Sequence, residues 1–353
     1  MRNSPKIPSG YRMPAEWHKQ SGIQLAWPQA GMDWQPYLEE IRQTYLELIE
    51  AITPHEPVLL GTEDIKATRQ YLSTYLSEET LRQVRLAECP HNDTWARDFG
   101  MITLLNEEGQ PLLLDFRFNG WGEKFHAELD NLSSERYFAQ ELLYGHRVDC
   151  LDLILEGGSI ESDGHGTIFT TAQCLLAPNR NQPLTQNDIE RELLYRLGAR
   201  RIIWLHHGTL IGDDTDGHID TTVRTAPNDT LLYVKCEDTA DPQYEDFLAL
   251  ERELRQLRNL EGKPYRLIPL PMPKEIHFDG ERLPATYANF LVINGAVIVP
   301  TYGQPDHDTL AMERVAEAFP GRQIVGVDAQ IIVRQHGSIH CLTMQYPVGV
   351  LRI

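Results

Sequence analysis

Leu38, Ile41, Tyr45, Leu48 and Ile52 return every three or four residues, the period that puts side chains on one face of a helix. Thr185 ahead of Ile189, Leu193, Leu194 and Leu197 repeats that period, with a hydroxyl to cap its start and Gly198 to stop it. A third such run holds Leu310, Val315 and Phe319 before Pro320 and Gly321. Between these stretches the pattern shifts to short β-type runs paired across Gly, Asn or Asp-rich turns. One pair runs from Phe99 through the Asn106–Gly109 turn to Phe116, and a second from Gly158 through Asp163 and Gly164 to Thr171. A third spans Thr222 to Lys235 across Pro227, Asn228 and Asp229. The fourth, Phe290 to Val299, turns on Asn294-Gly295, the strongest short hairpin signal. These units begin about 60 to 70 residues apart, and Ile23 to Trp27, stopped by Pro28, offers a fifth. The pattern predicts an α/β chain of recurring units, either a closed ring or an ordinary mixed domain. Lys263 to Lys274, with four prolines in twelve residues, is expected to be irregular.

A length of 353 residues allows one large repetitive domain or two ordinary ones, and no low-complexity linker divides the chain. Acidic residues outnumber basic ones 51 to 32, and no Lys/Arg-rich run is present, so neither a nucleic-acid nor a membrane partner is expected. Five scattered cysteines without a C-x-x-C suit a reducing cytoplasm. Arg2 and Lys6 are followed by prolines, Tyr11 and Glu16 rather than an apolar core, so no signal peptide or membrane span is expected.

Four clusters carry candidate chemistry. In Asn92 to Gly100, Asp98 is placed to bind a cation and Trp95 to cover its flank, although an Asp/Arg pair before a strand also forms surface salt bridges. Glu156-Gly157-Gly158-Ser159 follows an apolar run, and its glycines allow either close backbone approach or a plain bulge. Asp213 to Asp220 holds four carboxylates and an imidazole; on an extended chain Asp216, His218 and Asp220 would line one side, as an acid/base surface or a metal site. Its spacing is neither that of an EF-hand nor of H-E-x-x-H. In His336 to Thr343, Cys341 lies beside a histidine and becomes a candidate nucleophile if a distant histidine such as His218 is folded against it. Cys89, Cys150, Cys174 and Cys236 read as packing. No phosphate loop, dinucleotide fingerprint or G-x-S-x-G elbow occurs, which disfavours nucleotide enzymes and serine hydrolases.

Taken in order, W-x-R-D, E-G-G, D-G-H-x-D and a late H-C-x-T resemble the agmatine deiminase branch of the guanidino-group-modifying superfamily, related to bacterial peptidyl-arginine deiminases. Trp27-Pro28, Asn179-Arg180-Asn181, Tyr287-x-Asn289-Phe290 and Phe319-Pro320-Gly321-Arg322 extend the likeness to about Pro347, nearly the whole chain. The resemblance implies one catalytic domain over residues 1–353, built as a five-bladed α/β propeller (a pentein) of ββαβ units around a central channel. It implies Cys341 as nucleophile, His218 as general acid/base, and Asp98 and Asp220 as the carboxylates that grip a guanidinium. It further implies Glu156 as the acid that orients His218, Trp95 as the lid, and Asn289 as a secondary substrate-binding residue of the channel. Met101, where the family usually has proline, and Thr221-Thr222, where it has a polar residue and an aromatic, depart from the pattern at positions bearing on the substrate tail.

The implied reaction is hydrolysis of agmatine to N-carbamoylputrescine and ammonia, with no metal or organic cofactor, in a homodimer or larger assembly. Its rivals are deimination of peptidyl-arginine or free arginine, for which Arg97, Arg180 or Arg224 would take the α-carboxylate, and a non-catalytic polyamine-binding module.

Overall fold

In this computed structural model, residues 5–352 are described. Arg2, and the outermost ends of the 1–353 domain range, lie outside the described residues. All four hairpins form: Ile102–Leu105 with Pro111–Arg117, Ile160–Ser162 with Thr167–Thr171, Val223–Ala226 with Thr230–Lys235, and Leu291–Ile293 with Ala296–Thr301. The second strand of each then takes a third strand on its other side in parallel register: His146–Ile154, Arg201–Leu205, Arg266–Pro271 and Gln323–Asp328 respectively. A parallel partner needs a crossover, and the helical stretches supply it. Ser133–Ala139, Gln186–Arg196, Tyr244–Gln256 and Pro305–Ala318 fall in those four gaps.

The fifth unit repeats the pattern with parts from both ends of the chain. Gln20–Ala26 pairs antiparallel with Met344–Pro347 and parallel with Val58–Thr62, which in turn carries Val84–Glu88. Leu38–Ile52 is its crossover helix and buries Ile41, Tyr45, Leu48 and Ile52 as its period requires. Among the described residues these are five sheets of one design, with a separate two-stranded ribbon, His277–Phe278 with Glu281–Arg282, beside them. The architecture is a mixed α/β fold.

Local chemistry sets the boundaries. Thr185 caps its helix with a full capping box to Asp188, and Gly198 follows at a left-handed φ of 61°, where a Cβ would meet the Tyr11 carbonyl. Two expectations fail. The proline-rich Lys263 to Lys274 contains a strand, because Pro269 and Pro271 are two apart and put their missing donors on one side of an edge strand. Leu310 is exposed, and Pro305–Ala318 packs through Ala311, Val315 and Ala318 instead. Among the described residues no helix is long and apolar enough to cross a membrane.

Candidate active site

The loops between strands carry the polar clusters and fold them toward one another. Ala96–Phe99 is a single helical turn that buries Asp98 and Arg97, and the Arg97 backbone N–H donates to the Cys341 carbonyl at 3.1 Å. That one bond ties the first acidic cluster to the last. Asp98 accepts from the Gly158 N–H and from the Trp121 indole, both at 3.0 Å. Trp121 reaches it from a tight turn in which it and Gly122 adopt positive φ, closed by the Asn119 side chain on Gly122 N.

Glu156-Gly157-Gly158-Ser159 is a close-approach turn. A Cβ on Gly158 would lie 2.6 Å from His218 Nδ1, 2.9 Å from Asp98 Oδ1 and 3.2 Å from Asp220 Oδ2. His218 and two of the expected carboxylates therefore surround one bare Cα. Asp98 is also the acid nearest the imidazole, 3.7 Å from Nδ1.

The expected alternation of Asp216, His218 and Asp220 is absent. Asp213 accepts from Thr215 and Gly217, Asp216 takes a positive φ, and Ile219–Thr221 coils into a 3-10 turn. His218 and Asp220 end up fully buried, whereas Asp216 turns away to bind Arg180 at 2.6 Å and Lys124 at 2.9 Å. The Asp213 side chain thus works as a turn former.

Cys341 is buried beside Asn289 and Asp220. Its N–H and its thiol donate to Asn289 Oδ1 at 3.2 and 3.3 Å, and its sulfur lies 3.9 Å from Asp220 Oδ2. Asn289 Nδ2 donates to Asp220 Oδ2 at 3.1 Å. Both ends of that amide are engaged, so Asn289 links the thiol to the carboxylate. Glu156 also differs from expectation. Its Oε1 accepts from Arg180 Nε at 2.9 Å, and no hydrogen bond joins it to His218. It remains close, since Glu156, Cys174 and His218 each place a potential ligand atom within 4.8 Å of the others. Cys174, read as packing, is therefore a neighbour of the imidazole.

Burial shapes the ionisation of Cys341, Asp98, Asp220 and His218. It raises the Cys341 thiol well above its ordinary range, and Asp220 and Asp98 add to the effect. It raises Asp98 too, only partly offset by His218. For Asp220 burial is outweighed by the hydrogen bond and charge of His340, then by His218 and Arg224, so its carboxyl is held down. For His218 burial opposes the charge, but Asp98, Cys174 and Glu156 together raise it well above the usual imidazole value. The buried acids are thus split in opposite directions.

A narrow cleft reaches Cys341 and Asp98 from the surface, walled by Trp95, Trp121, Phe125, Thr221 and Gly337, with Asp33, Asp93 and Asp214 also on it. The Trp95 indole is pinned to Asp93 Oδ2 at 3.0 Å, and a Cβ on Gly337 would strike its ring at 2.1 Å. Trp121 and His340 are contributors that sequence reasoning passed over. The glycines flanking Trp121 were the available signal, and His340 had only its place beside Cys341. Glu16, Glu161 and His340 form a second buried group with ligand-like spacing. Each of the two groups also holds a guanidinium on its carboxylates, Arg180 in one and Arg224 in the other.

A thiol, an imidazole and two carboxylates converging at the foot of one cleft are the equipment of a cysteine hydrolase acting on a cationic group. The chain belongs to the Porphyromonas-type peptidyl-arginine deiminase family, whose sequence pattern matches residues 12–347. A relative from Marinomonas sp. (strain MWYL1), provisionally named an agmatine deiminase, is 34% identical over 98% of this chain and 96% of its own. The structure resembles that of a C. jejuni agmatine deiminase with substrate bound, at 37% identity, 97% coverage of each chain and a TM-score of 0.88. It also resembles agmatine deiminase of Enterococcus faecalis, at 28% identity, 98% and 99% coverage and a TM-score of 0.87.

Proposed function

We propose that this chain hydrolyses agmatine to N-carbamoylputrescine and ammonia, a step of putrescine formation, through a covalent intermediate on Cys341. The observation that carries the reading is a set of unpartnered buried atoms beside the thiol. Among the described residues Asp220 Oδ1 and both ring nitrogens of His218 make no hydrogen bond, Nδ1 keeping only its 3.7 Å contact to Asp98, although unpaired buried polar groups are costly and rare. A planar cation with N–H groups on two edges suits the two carboxylates, with Trp95 and Trp121 as walls for its faces.

A guanidinium carbon is a poor electrophile because its charge is delocalised, so orientation by Asp98 and Asp220 comes first. The arriving cation offsets the charge of the two acids, and the Cys341 proton leaves to solvent. The thiolate attacks the central carbon. His218, as imidazolium, donates its proton to the departing ammonia as the C–N bond breaks, leaving an S-alkylthiouronium. The now neutral imidazole takes a proton from water, whose oxygen attacks the same carbon; the C–S bond breaks and the ureido product leaves. Glu156, held by Arg180, adds negative charge near His218.

Agmatine is favoured over free arginine because an α-carboxylate has no cation to meet. Among the described residues the cleft walls include no arginine or lysine, and Arg97, Arg180 and Arg224 are buried on internal partners. Ammonia release from agmatine, free arginine and a blocked arginine peptide is expected to favour agmatine by about 10²-fold or more in kcat/KM. A Cys341→Ser variant should bind agmatine without turnover, and intact-mass measurement of the unchanged enzyme during turnover should show an adduct on Cys341. Absence of turnover on any guanidino compound would make the chain a polyamine-binding module instead.

We also read the five sheets of one design as blades of a five-bladed propeller around the channel, within a single catalytic domain, in a cytoplasmic protein that self-associates as a dimer or larger. Solution scattering with sedimentation tests shape and assembly together.

A further inference from the structure

His340 precedes the proposed nucleophile, and both of its ring nitrogens face carboxylates. Nδ1 lies 2.7 Å from Asp220 Oδ2 and Nε2 lies 2.8 Å from Glu16 Oε2, with all three residues buried. Asp220 as a carboxylate only accepts, so Nδ1 carries a proton, while Nε2 lies between Glu16 and Arg224 Nη2, 3.1 Å away and able only to donate. Glu16 is itself fixed, accepting from Arg224 at 2.6 Å and from the Val292 N–H at 2.7 Å. The chain of contacts therefore runs from a carboxylate anchored near the N-terminus, through the His340 ring, to the acid beside Cys341.

We propose that His340, held by Glu16, is a positioning residue that fixes Asp220 for the guanidinium, binding its Oδ2 so that its Oδ1 stays free for the substrate. The geometry supports this division of labour. Oδ2 of Asp220 takes both His340 and Asn289, while Oδ1 is the buried atom left without a partner. Asp98 instead meets a backbone N–H and an indole, and among the described residues no imidazole lies within hydrogen-bond range of it. Two buried acids around one Gly158 Cα would otherwise share a proton. The titratable and charged groups facing Asp220 are His340, His218, Asp98 and Cys341, with Arg224, Arg97 and Glu16 one step behind. Of these His340 is the one that donates a short hydrogen bond to it, at 2.7 Å.

The proposal rests on Asp220 as a substrate-gripping residue, so the test begins with wild-type turnover of agmatine. No turnover there would sink the functional reading and not this step. With turnover in hand, His340→Asn, which keeps a short donor but carries no charge, and Glu16→Gln, which exchanges a charge for a neutral amide of the same size, are compared by KM, kcat and pH profile. Both variants are expected to raise KM about tenfold or more while kcat changes by less than about threefold. The acid limb of kcat/KM should move to higher pH by about one unit, since Asp220 without a firmly held His340 donor protonates more easily. A merely structural role would lower thermal stability and leave KM and the acid limb at wild-type values, and that result overturns the proposal, as does a fall in kcat at unchanged KM. Should His340→Asn fail to fold, Glu16→Gln decides alone.

Discussion

Cys341 shows how a residue's neighbours set its chemistry. A free thiol titrates near pH 8.5, but here burial and two acids push it up, so the resting protein holds it as the neutral thiol. Alkylation of Cys341 by iodoacetamide without substrate is therefore expected to be slow at pH 7 and to rise only beyond about pH 8.5. A half-maximal rate below that value, read by mass spectrometry of the Cys341 peptide, would rule out activation by the arriving cation. The sign follows from the direction of the shift: a raised value disfavours the anion at every pH below it. The other four cysteines are buried and free, so they provide an internal comparison. The types and order of Cys341, His218, Asp98 and Asp220 were legible in the sequence because the chemistry admits few substitutes. Asn289 and Glu156 were legible as members of the site, yet their partners were not, since partners come from segments far along the chain.

At the scale of elements, turns decide more than strands. The four hairpins are readable from alternating apolar runs and their Gly, Asn and Asp turns, because those signals are local. The loops that carry the site are harder, for their shape comes from side chains such as Asp213 and Asn119 bonding to nearby backbone. Gly158 is the sharpest case, a glycine kept bare by His218, Asp98 and Asp220 rather than by its own φ. Gly158→Ala is expected to cost about 10²-fold or more in kcat/KM by displacing His218 and Asp98, with a thermal midpoint lowered by only a few degrees. Near-normal activity in a folded variant would show that the three groups need not converge there. Gly337→Ala presses on the Trp95 ring instead and should raise KM more than it lowers kcat. Steady-state kinetics on the pair separates the two effects.

Across the whole molecule, the two ends of the chain complete one sheet. Met344–Pro347 lies against Gln20–Ala26, and Met344 also takes Arg97 Nη1 against its sulfur at 3.7 Å. A truncation after Thr343 keeps every proposed catalytic residue but exposes the edge of Gln20–Ala26 and removes Met344, Tyr346 and Val350 from the core. It is expected to lose cooperative thermal unfolding, or at least about 10 °C in midpoint, as read by circular dichroism. Retained stability with lost activity would assign the segment to the site alone. Periodicity, turn chemistry and the inventory of reactive side chains are properties of neighbouring residues, so the amino-acid sequence alone determined the repeated units and the candidate nucleophile, base and acids. Which oxygen of Asp220 is bound, which carboxylate meets Arg180, and that Glu16 stands behind His340 were decided only when segments 120, 24 and 324 residues apart respectively were packed together. In a dry interior each charge must find a counterpart, and that pairing depends on distances no linear pattern carries.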